Sequence, residues 1–166
     1  LPLFLQDRFG FSIEDTVLVM LAATVPMVVL PPYAGTLASR WGWRRLFATG
    51  LAVIALGDAV LAATFLQGLA IDPLWLALSG MVVIATGAAL VQAQLSGAVV
   101  ALAPPARAGM ASALTIVMRQ GGFAVGIAGL GATVSSGYAV LFLAAMAAAV
   151  VGAASTALLG ARTGAG

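Results

Sequence analysis

Residues 73–100, PLWLALSGMVVIATGAALVQAQLSGAVV, run without a single Asp, Glu, Lys or Arg. Wound as a helix at 1.5 Å per residue, a stretch of this length exceeds the roughly 30 Å of hydrocarbon in a bilayer. Its environment decides the fold class. A soluble protein would need polar partners to wrap such a helix, and here they are too few: 63% of the chain is hydrophobic and 7% is charged, against roughly 25% charged residues in an ordinary soluble domain. Lipid must be the solvent, so the sequence predicts an all-α membrane protein.

Outward from this run, four more apolar stretches complete a bundle of about five spans, near Ile13 to Ser39, Leu46 to Leu66, Pro73 to Val100, Gly109 to Val134 and Tyr138 to Leu159. The whole chain, residues 1–166, reads as one helical bundle. Ser12 followed by Asp15 is a capping-box-like start for the first span, and Pro73 suits the first turn of the third. Short polar connections predict antiparallel neighbours. Leu1 to Leu5 carries no basic segment or cleavage-like site of a signal peptide and reads as the outer end of an earlier helix, so the chain is expected to be a fragment of a longer protein.

Charge sets the expected orientation. Arg40, Arg44, Arg45, Arg107 and Arg162 fall at one side of the bundle, whereas Asp7, Arg8, Glu14, Asp15 and Asp72 fall at the other. The arginine-rich side is cytoplasmic by the positive-inside rule. This predicts a multi-pass protein of the plasma membrane with the N-terminal loop outside and the C-terminus in the cytoplasm. The net charge of +2 follows from this topology, and no nucleic-acid partner is expected.

Cysteine and histidine are both absent, which removes disulfides, thiol nucleophiles, the commonest metal ligand and the usual general base. No Ser, Cys or metal-ligand constellation suggests catalysis. The expectation is a protein without catalytic residues, metal or cofactor, whose surroundings are the lipid bilayer.

Two ionisable residues lie deep in the spans. Arg119 is about ten residues into the fourth span, roughly 15 Å from its cytoplasmic end. An arginine at that depth must face a wet cavity, an anionic partner or backbone carbonyls, and it serves either a pathway or a lock between helices. Asp58 lies about twelve residues into the second span. At similar depth it can pair with Arg119, carry protons or cap a polar pocket. Gln92 and Gln94, two residues apart on the third span, point about 200° apart around a helix. One can line a cavity while the other bridges to a neighbouring helix.

Gly122 and Gly126 form a GxxxG spacing in the fourth span, amid Gly121, Gly129 and Gly131. Close helix packing is the expected use, and a partner helical protein is one candidate for what packs there. Pro26, Pro31 and Pro32 remove three backbone donors from the first span and predict a bend or break.

Two stretches resemble the major facilitator superfamily. Gly35-Thr36-Leu37-Ala38-Ser39-Arg40-Trp41-Gly42-Trp43-Arg44-Arg45-Leu46 is similar to the family's cytoplasmic signature, roughly G-x-L-a-D-r-x-G-r-r-x-x-l, with matches at Gly35, Leu37, Arg40, Gly42, Arg44 and Leu46. Ser39 replaces the signature acid, and Trp43 stands where a basic residue is common. Residues 104–112, PPARAGMAS, followed by Arg119-Gln120-Gly121-Gly122 and Gly126-Ile127-Ala128, resemble the late helices of the fourteen-helix drug:proton antiporters. The resemblance implies the last five helices of a transporter whose two halves rock about a central site, with Gly35, Ser39, Arg40, Gly42, Arg44 and Arg45 in a cytoplasmic gating loop. It implies proton-coupled efflux of drugs or other small amphipathic molecules, with the missing N-terminal half as a partner. Without both repeats the isolated chain is not expected to transport. The alternatives are a metabolite exporter and a non-transporting module that packs against another helical protein.

Overall fold

A computed structural model describes residues 1–66 and 71–162, apart from the side chains of residues 22, 93, 94, 96–102, 105 and 159–162. Among the described residues seven α-helices follow one another: α1 (Pro2–Phe9), α2 (Ile13–Val29), α3 (Pro31–Trp41), α4 (Trp43–Ala63), α5 (Pro73–Leu102), α6 (Ala108–Thr133) and α7 (Tyr138–Arg162). Short 3₁₀ turns at Pro105–Arg107 and Val134–Ser136 flank α6. No strand occurs among the described residues.

Four helical stretches among the described residues are long and apolar enough to cross a membrane: Trp43–Ala63, Pro73–Gln92, Ala108–Ser136 and Tyr138–Leu158. A bent pair, α2 with α3, supplies a fifth when counted as one span. This architecture is compatible with a multi-pass membrane protein.

Local chemistry explains the helix ends. Ser12 Oγ accepts a hydrogen bond from the Asp15 backbone N–H at 3.1 Å and donates one to Asp15 Oδ2 at 2.7 Å. This satisfies one of the donors that a helix N-terminus leaves without a partner. Asp72 Oδ1 accepts from Leu74 N–H at 2.8 Å, ahead of Pro73 in the first turn of α5. At the joint between α3 and α4, Gly42 takes φ +79°, a conformation in which a side chain is strained. It lets α4 begin at Trp43, three residues before the expected Leu46.

The first span breaks where its prolines predict. The 46° bend falls between Val29 and Pro31. Pro31 and Pro32 cannot donate to the carbonyls of Met27 and Val28, four residues earlier. The Leu30 carbonyl instead accepts from both Tyr33 N–H at 3.0 Å and Ala34 N–H at 2.9 Å, which restarts the helix in a new direction. Both arms lean on α5.

The centre of the bundle is α4, packed along α5 on one side and α7 on the other. At its C-terminal end a buried cluster joins Phe4 and Leu5 of α1, Ala23 of α2, Leu61 of α4, Ala77 and Met81 of α5, and Phe142 of α7. Phe4 stands at its centre, with ring centroids 5.2 Å from Phe142, 5.4 Å from Tyr138 and 5.8 Å from Phe65. The Tyr138 hydroxyl also donates to Asp7, tying α1 to the start of α7. By contrast α6 buries none of its residues and packs chiefly against α5 and α7.

Candidate functional site

The site begins with the contact between α4 and α5. Gly57 faces Gly80 and Gly50 faces Gly87, so the two antiparallel helices meet through glycines spaced seven apart on each. A Cβ on Gly57 would stand 2.9 Å from the Gly80 carbonyl oxygen and 2.5 Å from Ile84 Cγ1. Real side-chain atoms do not approach so closely. With little hydrophobic drive between helices in lipid, such van der Waals contact is a main source of association.

Asp58 follows Gly57, so the close helix pair carries it inward. The residue is only 6% exposed. No hydrogen bond or ion pair to it is formed among the described residues. It lies in the wall of a groove of about 440 Å³ between α4, α5, α6 and α7, whose other walls include Leu61, Ile84, Phe123, Ile127 and Phe142. Removing an ionised carboxylate from water costs several kcal/mol, on the order of what a proton or a cationic partner must offset. The groove is thus an apolar chamber with one acidic group.

Gly122 and Gly126 line the same groove from α6. Nothing lies within 4 Å of a Cβ placed on either, nor on Gly121, Gly129 or Gly131. Within this chain the close packing expected of them belongs to α4 and α5, and the α6 glycines instead widen the groove.

Arg119 and Asp58 stand at different distances from the starts of their helices. Because α4 starts at Trp43, Asp58 stands fifteen residues along it, roughly 22 Å, whereas Arg119 stands eleven residues along α6, roughly 16 Å. No ion pair joins them among the described residues. Arg119 Nη1 donates instead to Gln92 Oε1 on α5 at 3.4 Å, a long bond. Its Nε is buried with no hydrogen-bond partner among the described residues. A buried donor left so costs about 1–3 kcal/mol. Gln94 lies two residues further along α5, and its side chain falls outside the described residues.

The predicted gating loop is the α3–α4 joint. Gly35, Ser39 and Arg40 sit on α3, Gly42 forms the joint, and Arg44 and Arg45 open α4. Ser39 Oγ donates to the Thr36 carbonyl at 2.8 Å, satisfied within its own helix. The Arg44 guanidinium lies 5.3 Å from the centre of the Trp43 ring.

Two features escaped the sequence reading. The Gly50, Gly57, Gly80 and Gly87 contacts have a visible signal, the matched seven-residue spacing in neighbouring spans. The Tyr138–Asp7 bond joins residues 131 positions apart and has none.

Compared with known protein families, curated proteins and solved structures, the chain matches none.

Proposed function

We propose that this chain is part of a membrane transporter that expels small amphipathic molecules in exchange for protons. One observation carries the reading: a buried carboxylate, Asp58, without a partner among the described residues, stands in the wall of an apolar groove of about 440 Å³. Intramembrane carboxylates are costly and mark ion or substrate pathways. An apolar groove with one fixed polar group suits a small amphipathic ligand, whether a drug or a metabolite of the same character.

The resemblance of residues 35–46 and 104–128 to the major facilitator superfamily supports a finer placement. On this reading the five spans are the last five helices of a fourteen-helix antiporter in the plasma membrane. The N-terminal loop is outside, the arginine-rich end is cytoplasmic, and the N-terminal half supplies the opposite wall of the central site. Asp58 carries the proton, Arg119 held by Gln92 tunes the local charge, and the joint from Gly35 to Arg45 gates the cytoplasmic side. Catalysis has no part in it.

The test is Asp58→Asn in the transporter that contains this chain, reconstituted in vesicles with a pH-sensitive dye inside. Substrate-dependent proton movement should disappear. Unchanged coupling would remove Asp58 from the mechanism.

A second reading is favoured by the open glycine face of α6, where Gly122 and Gly126 meet nothing within 4 Å. On that reading the chain is a non-transporting module that receives a helix of another membrane protein. Co-purification of a partner, lost in Gly122→Leu/Gly126→Leu, supports it; a monodisperse monomer opposes it.

A further inference from the structure

We propose that the groove between α3 and α5 holds one anionic phospholipid, with its phosphate on Arg40 and an acyl chain lying along the α3 wall. The inference requires only that the chain sits in a bilayer, and does not rest on the transport reading.

The groove, about 370 Å³, is lined by Leu30, Tyr33, Ala34, Thr36, Leu37 and Arg40 together with Leu90 of α5. The bend after Val29 turns α3 away from the line of α2, and Leu90 of α5 closes the groove on its other side. Its walls are apolar along most of their length and basic at one end. From Leu30 to Arg40 is ten residues, about 15 Å of helix, which equals half of the roughly 30 Å hydrocarbon core. One leaflet's acyl chain therefore fits alongside, with Arg40 at the level of the headgroup.

Two neighbours mark the same level independently. Trp41 and Trp43 are 51% and 37% exposed, and tryptophans left open to the surroundings at a helix end belong to the membrane interface. Arg40 is exposed and makes no hydrogen bond or ion pair among the described residues, and Arg45 likewise.

Charge selects the ligand. Arg40, Arg44 and Arg45 crowd into six residues, and none of the five acids of the chain lies between Asp15 and Asp58. Basic pockets between membrane helices recognise anionic headgroups. A zwitterionic lipid would bring its own cation against these arginines, so the net negative lipid is favoured.

The test uses the full chain carrying Trp75→Phe, so that only Trp41 and Trp43 fluoresce, in phosphatidylcholine nanodiscs. Phosphatidylglycerol with brominated acyl chains is added in increasing mole fraction, and quenching is read. Saturation at a few mole per cent is expected, whereas brominated phosphatidylcholine should quench without saturating. Arg40→Gln should raise the half-saturating fraction about fivefold, the factor one arginine contributes at an anionic surface. Thr36→Phe, which fills the groove from its open edge, should abolish saturation with the arginines intact. Arg107→Gln, between α5 and α6 and outside the groove, should change nothing. Equal quenching by both lipids, no effect of Arg40→Gln, or an equal effect of Arg107→Gln would overturn the proposal in favour of diffuse attraction.

Discussion

Gly87 of α5 lies against the Gly50 carbonyl of α4 so closely that a Cβ on Gly87 would stand 2.5 Å from that oxygen and 2.9 Å from the Ile54 nitrogen. Both contacts are with backbone, which cannot swing aside as a side chain tip can. Gly87→Ala should therefore push the central helices apart and cost about 1–3 kcal/mol, the range for overpacking a tight contact. Gly122→Ala, with open space around it, should leave stability unchanged. Thermal unfolding in detergent, followed by size exclusion, compares the two. A midpoint for Gly87→Ala equal to that of the unmodified chain would mean that the glycine contact does not hold the bundle.

The groove beside Asp58 is apolar enough to admit a hydrophobic carbodiimide, which reacts with carboxyl groups shielded from water. Dicyclohexylcarbodiimide should modify Asp58 in preference to the exposed Asp7, Glu14 and Asp15, as read by peptide mass. Asp58→Asn should remove the modification. Because the amide sheds the desolvation cost of a buried charge, the same variant should unfold at a temperature no lower than the parent. Labelling confined to the exposed acids would show the groove to be closed to such ligands.

Gln92 supplies the one hydrogen bond that Arg119 makes among the described residues. Gln92→Leu leaves a guanidinium with that bond gone and should cost about 0.5–1.5 kcal/mol, the range for an ordinary hydrogen bond. Gln92→Glu should recover the loss through a charge-assisted bond. Unfolding midpoints of both variants provide the check, and equal destabilisation by Leu and Glu would mean that the contact carries no energy.

The Tyr138 hydroxyl donates to Asp7 and Phe4 packs beside the Tyr138 ring. Tyr138→Phe keeps the ring and deletes the donor, a change worth about 1–3 kcal/mol for a bond to a charged group. Amide hydrogens of α1 should exchange faster in that variant, while those of the α4 core keep their protection. Unaltered exchange across residues 2–9 would assign the docking of α1 to the aromatic cluster alone.

A chain with no cysteine is ready for single-cysteine labelling. With the arginine-rich side in the cytoplasm, Ser12→Cys should react with a membrane-impermeant maleimide added to intact cells, and Ser39→Cys should react only after the membrane is opened. The reverse pattern would invert the orientation.

Sequence by itself determined the features that depend on neighbours along the chain. Hydropathy marked the helices, because a backbone in lipid must satisfy its hydrogen bonds locally. Ser12, Asp72 and Pro73 set helix starts through bonds within three residues, and Pro31 with Pro32 placed the bend by withholding donors from carbonyls four residues back. Which faces meet was decided only by tertiary structure. Glycines occur in α4, α5 and α6 alike, and those of α4 and α5 became the tight contact because both helices present them at matched seven-residue intervals in antiparallel register. Depth counted along separate helices placed Asp58 and Arg119 together, but α4 starts three residues earlier than expected, and Asp58 stands about four residues, roughly 6 Å, further from its helix start than Arg119 does from its own. One charge thus faces an apolar groove and the other meets Gln92, because register and rotation between helices are properties of packing.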